Sequence, residues 1–500
     1  MKNAVSARLS ERTAPEVAET IYKPGMASFG NEAFLDMCCL NEAHLVMLAE
    51  QGLVPGEIAE TLARSLRRLR EEGKDSVVLD PQFEDTYFAF ENRLGSIAGA
   101  RETGWIHVGR SRNDIGATLD RMHARALCLD ILVALATARQ ACLDAAERHA
   151  DAIMPGYTHL QPAQPITFGY WLANIAAALS RDHDRIAAAF ARINLSPLGS
   201  AALAGTSFAI DRHRTAGLLG FEGIVEPCLD AVASRDFVTE LLWGVTSLST
   251  LLSRMGQDLY AFCTHEFSAI EFPDRVAGTS SIMPQKKNPL MLEFFRAAGG
   301  RAIGALSGAL ASVKGSNFSI GLDSVREGIA DAWPALHQSI DTLALLRLVF
   351  ETAEPKSELM LARCRANFST ATDLADGLVR TAGLSFREAH HVVGATVQLA
   401  LGRGLDASGV TSALVDEAAV SVLGRPLSVD EAFLRGCLDP VSAVAARTTA
   451  GGTAPPEVRR IVLDQKAKVV ADMAAVAARR RSLAASAATL DAAVTALAGG

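Results

Sequence analysis

The 500-residue sequence predicts an all-α protein, and two of its features support this prediction. Helix-favouring alanine, leucine, arginine and glutamate dominate, whereas clusters of β-branched and aromatic residues alternating with polar ones are few. Several long stretches also contain no proline apart from Pro334 and carry at most isolated glycines or a glycine pair. The first stretch lies between Gly116 and Pro155 and predicts a helix well above the usual length.

Four further stretches of this kind predict a bundle of long helices; they cover residues 167–194, 234–272, 290–314 and 326–350. Parts of the bundle, such as residues 129–136 and 237–252, are apolar over more than one helical face. A lone surface helix does not tolerate this pattern. The segments are therefore buried either inside one large bundle or between bundles of several subunits, and we expect an oligomer. The alanine-rich segment after Ala475 predicts a terminal helix.

The composition argues against several classes of protein. A net charge of -8 gives no general electrostatic reason to expect nucleic acid or an anionic membrane as partner. The eight cysteines are scattered without metal-ligand spacing, so we expect reduced thiols and no zinc site. Residues 1–10 lack the apolar run of a signal peptide, and the charge-free stretch 152–180 contains three prolines, which makes it a poor membrane span. We expect a cytoplasmic protein.

Three polar segments lie at the ends of the predicted helices, where functional loops are common. The first is HVGRSRND, residues 107–114, which opens the longest helix. One interpretation is a capped helix start, in which Ser111, Asn113 or Asp114 accepts backbone protons and the two arginines are solvated. The other interpretation is a functional loop, and this segment alone does not decide between them.

The second segment is GYTHLQPAQP, residues 156–165, which joins two of the predicted long helices. Its glycine and prolines are consistent with a simple turn of the chain. Thr158 and His159 nevertheless place a hydroxyl beside a titratable imidazole. Such a pair can hold a carboxylate and move a proton.

The third segment is GTSSIMPQKKNP, residues 278–289, directly before an apolar helix. Asn288 fits an N-cap and Pro289 fits the first helical position. The positive end of the helix would then lie beside Lys286 and Lys287 and form an anion site. The alternative is a solvated basic loop whose small residues give flexibility.

Together the three segments resemble the fumarase/aspartase superfamily, whose signature is a GSSxMPxKxNP-type loop. Within it they are similar to argininosuccinate lyase, since fumarase and aspartase typically carry GKVNP in this loop and adenylosuccinate lyase carries a KRNP form. The resemblance extends through LGS at 198–200, AG at 204–205, SRDF at 234–237, ATDLAD at 371–376 and GGTA at 451–454. It covers almost the whole chain from about residue 84 onward.

The resemblance implies an all-α subunit of three domains, with a central bundle of five long helices packed into a tetrameric core. We place the domains at residues 1–114, 115–363 and 364–500. It also implies active sites built from three different chains, a small-molecule substrate, and neither cofactor nor metal.

The implied reaction is the elimination of an amine from an N-substituted aspartate, which gives fumarate. A base removes a proton from the carbon next to a carboxylate, so the site must stabilise a dianionic aci-carboxylate. By resemblance Ser280 is the base, with His159 as the alternative, while His159 paired with Glu293 orients a proton donor for the amine. Lys286 supplies positive charge. The residues implied in substrate binding are Ser111, Arg112, Asn113, Thr158, Gln164, Arg235, Ser281, Lys287 and Asn288.

The sequence departs from argininosuccinate lyase where the amine half of the substrate is held. That family usually carries a tyrosine, a glutamine and a lysine after the central helix, and an ungapped alignment puts Ile320, Val325 and Gly328 there. The aspartate common after KKNP is Leu290. Since a buried guanidinium without polar partners is costly, an amine pocket lined by Leu290 and Ile320 disfavours arginine.

We therefore expect another N-substituted aspartate as substrate. The sequence resembles the family type of ethylenediamine-N,N'-disuccinate lyase, an argininosuccinate-lyase-like enzyme that cleaves an aminopolycarboxylate and also adds amines to fumarate. The first alternative is an ordinary argininosuccinate lyase. The second is a non-catalytic, crystallin-like structural protein, which the retained site residues disfavour.

Overall fold

The computed structural model describes residue 8 and residues 11–499, and helices make up most of the described chain. The longer helices, labelled in chain order, are α1 (Asn31–Glu50), α2 (Gly56–Glu72), α3 (Thr86–Ala98), α4 (Arg112–Arg148), α5 (Phe168–Ile193), α6 (Asp236–Phe262), α7 (Leu290–Val313), α8 (Ala332–Thr352), α9 (Ser357–Ala366), α10 (Ala371–Ala382), α11 (Phe386–Gly402), α12 (Ser412–Leu423), α13 (Glu431–Leu438) and α14 (Pro455–Leu497). The all-α prediction is confirmed.

Shorter elements connect these helices. Short helical segments are Pro15–Val17, Ala18–Tyr22, Lys23–Met26, Lys74–Ser76, Pro81–Phe83, Ala100–Thr103, Gly104–His107, Arg212–Leu218, Cys228–Ala233, Asp274–Val276, Leu322–Val325, Glu327–Ile329, Ala407–Gly409 and Pro440–Ala445. The strands are β1 (Ile153–Thr158), β2 (Gln161–Thr167), β3 (Leu195–Ser196), β4 (Gly223–Ile224), β5 (Ile270–Glu271) and β6 (Glu354–Pro355). β1 pairs antiparallel with β2, β3 parallel with β4, and β5 antiparallel with β6.

The five predicted long helices are present as α4 to α8, although α6 ends ten residues before the predicted limit at Phe272. α4 and α5 are antiparallel. Arg121 Nη1 donates to the Arg192 carbonyl at 2.6 Å near one end of the pair, and Cys142 Sγ lies 3.3 Å from the Leu172 carbonyl towards the other.

The remaining bundle helices continue this up-and-down order. α6 returns along α5, because Gly244 contacts Ile186 while Asp182 accepts from Ser247 Oγ at 2.8 Å. α7 runs antiparallel to α6, because Gly256 packs on Phe295 and Thr246 Oγ1 lies 3.3 Å from the Ala302 carbonyl. Successive helices thus reverse direction, and their termini collect at two ends of the bundle.

Buried apolar side chains form three large clusters among the described residues. One fills the bundle, a second lies around α1, α2 and α3, and a third lies among α10, α11 and α12. The second cluster also takes in Leu198, Phe221, Leu490 and Val494. The division into three domains, with boundaries at 114 and 363, stays a prediction.

α4 is long and apolar enough to cross a membrane by length and composition alone. Two-thirds of that apolar window (67%) is buried inside the bundle, however, and this explains its composition as that of a core helix. The eight cysteines are free thiols, four of them buried.

α14 packs along the bundle and contributes Asp472 and Lys468 to a polar cluster around Arg139 and His183. Arg139 is fully buried, and its Nη1 donates to Asp472 at 2.6 Å while its Nη2 donates to Ser180 Oγ at 3.0 Å. Lys468 Nζ bridges Asp472 and Asp184 at 3.0 and 2.7 Å. Two cations therefore neutralise the two carboxylates that lie beside the His183 imidazole.

His183 provides a pH-dependent prediction. It is 3% exposed, and burial lowers its pKa to about 4, with Arg139 and Lys468 adding to burial while Asp472 and Asp184 oppose it. The unfolded chain, with a His183 pKa near 6.5, then binds this proton more readily than the folded chain. The contribution of His183 to stability is full above pH 6.5 and is lost as the pH falls towards 4.

We expect the His183→Gln variant to lose less stability than the original protein between pH 6.5 and 4, by up to about 3 kcal/mol. Denaturant unfolding monitored by circular dichroism at several pH values measures the difference. Parallel pH curves for the two proteins would show that His183 does not titrate in this range.

Candidate active site

The three candidate segments lie at two different ends of one subunit. Segment 107–114 is at the start of α4, and the β1–β2 hairpin follows the end of α4. Since α4 has 37 residues, these two segments are separated by about 55 Å. We call the end with residues 107–114 the Arg112 end of the bundle and the end with the hairpin the Ser280 end. The loop 278–289 lies at the Ser280 end, because it follows α6, which ends beside the hairpin. Tyr157 of the hairpin packs 5.8 Å from Phe262 at the end of α6, measured between ring centroids.

Segment 107–114 forms a capped helix start, as one of the two interpretations predicts. Ser111 is the N-cap of α4 and makes a capping box with Asp114. Asp114 also ties this segment to a distant loop. Its Oδ1 accepts from Ser111 N at 2.8 Å, and its Oδ2 accepts from Gly199 N at 2.8 Å and Ala201 N at 3.0 Å. Asn113 Nδ2 adds a bond to the Ala202 carbonyl at 2.9 Å.

The expectation that both arginines are solvated is wrong. Arg110 is 5% exposed and donates to Asn41 Oδ1 at 2.6 Å and to Tyr87 Oη at 3.2 Å. Arg112 is partly exposed, and its Nη1 is shared by Asp85 at 2.9 Å and Glu84 at 3.1 Å. Burial lowers the pKa of Arg112, but these carboxylates outweigh burial and raise that pKa above its ordinary value.

The second segment is a β-hairpin, which the sequence interpretation did not predict. His159 and Leu160 form its two-residue turn with φ of 55° and 57°, the geometry that suits the twist of paired strands. Gly156 lets β2 approach closely, because a Cβ there would lie 2.6 Å from the Gln164 carbonyl. The hairpin holds Thr158, His159 and Gln164 at an exposed tip.

The third segment is a loop with a closed neck. Gly278 and Asn288 exchange two backbone hydrogen bonds of 2.8 Å, and Asn288 Nδ2 donates to the Thr279 carbonyl at 3.2 Å. Leu290 packs over Gly278 so closely that a Cβ there would lie 2.4 Å from Leu290 Cδ1. The residues between these two hydrogen-bonded ends are mostly exposed, so the loop projects from the bundle.

The prediction that Asn288 caps the following helix is wrong by one residue. α7 begins at Leu290 with Pro289 in the N-cap position and without a side-chain cap. The reason is that Asn288 pairs with Gly278 and directs its amide to the loop instead.

Ser280 and the two lysines occupy different surroundings in this loop. Ser280 Oγ accepts from Met283 N at 3.1 Å and lies 3.4 Å from Ile282 N. Lys286 is exposed, and its ammonium has no partner among the residues the structure describes. Lys287 Nζ instead donates to Asp274 at 2.8 Å and to the Phe272 carbonyl at 3.0 Å. One lysine is thus available to a ligand, whereas the other anchors the loop stem.

The remaining candidates are divided between the two ends. Glu293 is exposed in the first turn of α7, and its carboxylate lies 3.5 Å from Tyr260 Oη. Leu290 is also at the Ser280 end, whereas Ile320 follows α7 at the Arg112 end. Arg235 begins α6 at the Arg112 end, where it is 4% exposed and donates to Asp120 at 2.8 Å.

One subunit therefore brings together two separate groups of candidates. Those at the Arg112 end are Ser111, Arg112, Asn113, Arg235 and Ile320. Those at the Ser280 end are Thr158, His159, Gln164, Ser280, Ser281, Lys286, Lys287, Asn288, Leu290 and Glu293. Sequence reasoning missed Glu84, Asp85 and the bridging contacts of Asp114. The sequence signal for Glu84 and Asp85 was their position as an acidic pair directly before α3.

Comparison with known proteins places the chain in a family. Residues 37–304 match the Lyase family model, and residues 368–445 match the model for the argininosuccinate lyase C-terminal region. Argininosuccinate lyase 1 of Shouchella clausii is 39% identical over 453 residues, 91% of each chain. Argininosuccinate lyase of Methanosarcina barkeri is 40% identical over 420 residues, covering 83% of this chain and 84% of its own.

Solved structures of similar proteins lead to the same family. EDDS lyase in complex with formate superposes with a TM-score of 0.88 at 34% identity, covering 98% of this chain and 97% of the other. A doubly substituted EDDS lyase variant with bound fumarate gives 0.87 at the same identity and coverage. Class II fumarase from Schistosoma mansoni, at 14% identity and a TM-score of 0.68, shares the fold. The chain belongs to the argininosuccinate lyase-like branch of the fumarase/aspartase superfamily and is a carbon-nitrogen lyase.

Proposed function

We propose that this lyase reversibly eliminates an amine other than arginine from an N-substituted L-aspartate, giving fumarate. An aminopolycarboxylate such as ethylenediamine-N,N'-disuccinate is the substrate type that we favour. The observation that carries this proposal is the apolar character of Leu290 and Ile320, because neither side chain can accept a hydrogen bond from a guanidinium. EDDS lyase, at 34% identity over nearly the whole chain, supports the same choice.

Argininosuccinate lyase is the second candidate function. It is favoured by the relatives from Shouchella clausii and Methanosarcina barkeri, which carry that name at 39% and 40% identity. In that case groups other than positions 290 and 320 would hold the guanidinium.

The proposal requires a homotetramer in which three subunits contribute to each site. Arg112 and Thr158 lie about 55 Å apart in one subunit, so they can share a substrate only across subunits. Leu290 and Ile320 are similarly separated by the 24 residues of α7. Exposed apolar side chains on α6 and α7 support packing between bundles: Trp243 is 51%, Ile303 49% and Leu310 52% exposed.

In the proposed mechanism Ser280, as its alkoxide, takes the proton from the carbon next to the distal carboxylate. The electron pair moves into that carboxylate and forms the aci-carboxylate dianion. Hydrogen bonds from Met283 N and Ile282 N to Ser280 Oγ support the alkoxide, because a donor stabilises the charged form of its acceptor. The Lys286 ammonium, which has no ion-pair partner among the described residues, adds positive charge where the dianion develops.

The second step breaks the carbon-nitrogen bond. The electron pair of the dianion forms the double bond of fumarate, and the leaving amine takes the bonding pair together with a proton. We assign His159 and Glu293 to the orientation of this proton donor. Thr158, Asn288, Ser111, Arg112 and Asn113 bind the carboxylates, with Gln164 and Ser281 as further donors.

The experiment that tests the substrate follows fumarate by its ultraviolet absorbance. We expect faster turnover of ethylenediamine-N,N'-disuccinate than of argininosuccinate at equal concentrations, because an apolar pocket leaves a buried guanidinium unpaired. Faster turnover of argininosuccinate would establish the second candidate instead.

Two variants test whether positions 290 and 320 face the amine. Leu290→Asp and Ile320→Tyr should shift the preference towards polar amines in the addition of amines to fumarate. Leu401→Asp, at an exposed leucine near the end of α11 outside the bundle, is the matched control. An unchanged amine profile in the first two variants would show that these side chains do not line the pocket.

A further inference from the structure

Arg112 is already engaged by two acidic side chains. Its Nη1 lies 2.9 Å from Asp85 Oδ2 and 3.1 Å from Glu84 Oε2, and its Cζ lies 4.3 Å from the centre of the Phe88 ring. Two carboxylates and one guanidinium leave this group with one net negative charge. An anionic substrate that approaches Arg112 therefore meets repulsion as well as attraction.

The two carboxylates have different structural roles. Asp85 is the N-cap of α3, and its Oδ1 accepts from Phe88 N at 2.9 Å. The side chain of Glu84 contacts Arg112 and forms no other hydrogen bond or ion pair in the part of the chain that the structure describes. α3 thus depends on Asp85, whereas the Glu84 carboxylate serves only the contact with Arg112 among the described residues.

The backbone of Glu84 is strained. Its φ is 68° and its ψ is -42°, a left-handed conformation that only glycine adopts without steric cost. Asp85 N donates to the Phe83 carbonyl at 2.8 Å, which closes a three-residue γ-turn with Glu84 at its centre. A change that releases Glu84 from Arg112 therefore also allows this turn to relax.

We infer that Glu84 is a positioning residue that competes with the substrate carboxylate for Arg112 and so weakens the binding of fumarate. The inference rests on the proposed role of Arg112 in carboxylate binding. A ligand shifts a protein between two states only through contacts that differ between them. In the resting state Glu84 holds Arg112 from a strained turn. In the bound state fumarate holds Arg112, and the turn is free to relax.

Such competition has a functional consequence. Fumarate carries two negative charges and is a product of the elimination. A residue that takes Arg112 back after the reaction favours release of this product. The same residue lowers the affinity for fumarate in the addition direction.

The Glu84→Gln variant tests the inference because it removes the charge and keeps the size of the side chain. We expect the Kd of fumarate, measured by isothermal titration on the assembled protein, to fall roughly threefold to tenfold. The KM of the N-substituted aspartate should fall by a similar factor, whereas kcat should not rise. An unchanged or larger Kd would overturn the inference and show that Glu84 merely supports the fold or helps Arg112 to bind.

Further variants separate competition from other effects. Glu84→Gly also lacks the carboxylate and should tighten fumarate binding similarly. Glu71→Gln removes the same charge from an exposed residue that has no ion pair among the described residues, and it should leave the Kd unchanged. Equal tightening in Glu71→Gln would assign the effect to net charge and overturn the inference.

A double-mutant cycle distinguishes this inference from the proposed function. Arg112→Gln should weaken fumarate binding, and in that background Glu84→Gln should have no further effect. If Arg112→Gln leaves fumarate binding intact, the proposed role of Arg112 fails. If it weakens binding but Glu84→Gln alone does not tighten it, the competition alone is refuted.

Discussion

Replacing Ser280 with alanine is expected to lower kcat by roughly 10³-fold while the oligomer stays assembled. In the proposed mechanism Ser280 is the base that takes the proton, and two backbone amides support its alkoxide. The variant loses a hydroxyl that accepts from Met283 N and Ile282 N in a loop that projects from the bundle. Since no buried packing is removed, the fold should be unaffected.

The measurement is steady-state fumarate release, with size-exclusion chromatography and light scattering for the oligomer. Ser482→Ala, at an exposed serine of α14, is the matched control and should keep the original rate. A Ser280→Ala enzyme that retains more than about a tenth of the rate would transfer the role of base to His159. His159→Asn would then be the variant to measure.

Replacing Asp114 with asparagine is expected to destabilise the Arg112 end by about 3 kcal/mol and to reduce activity. The two oxygens of Asp114 accept from the backbone amides of Ser111, Gly199 and Ala201. An asparagine has only one acceptor oxygen. Its NH2 group would take the place of the other oxygen and face a backbone N–H, which is also a donor. Because Asn113 is tied to the neighbouring Ala202 carbonyl, its amide should be displaced as well.

Scanning calorimetry at fixed protein concentration measures this effect as a melting temperature lowered by several degrees. Asp406→Asn is the matched control, since Asp406 accepts from Ser408 N and Gly409 N in an exposed turn. Water can replace those bonds, so the control should change the melting temperature less. Equal shifts in melting temperature would show that the buried hydrogen bonds of Asp114 stabilise the protein no more than the exposed ones of Asp406.

Burial acts on the acidity of Asp114 as well as on its hydrogen bonds. It raises the pKa of this carboxyl to about 6, although the three amide donors oppose the change. The folded state therefore binds this proton more tightly than the unfolded state, so this group stabilises the fold below about pH 4 and loses that contribution as the pH rises through 6. The sign is opposite to that of His183.

The local elements of the fold were predictable because their signals are local. Helix-favouring stretches with few glycines and almost no proline indicate α4, α5, α6, α7 and α8, and Ser111 with Asp114 three residues later indicates the capped start of α4. The hairpin was missed because its prolines and short polar run resemble an ordinary turn. The Asn288 cap was misassigned because the pairing of Asn288 with Gly278 depends on a residue ten positions earlier.

The three motifs, through their resemblance to a known superfamily, were also enough to predict the reaction class. Side-chain chemistry at a motif follows from residue type and spacing, which the chain carries regardless of its packing. Packing alone decided that Arg110 is buried and that Arg112 is held by Glu84 and Asp85. It also decided that Lys287 is anchored while Lys286 is exposed. Packing also separated Arg112 from Thr158 by the length of α4, because antiparallel helices carry consecutive loops to opposite ends of a bundle.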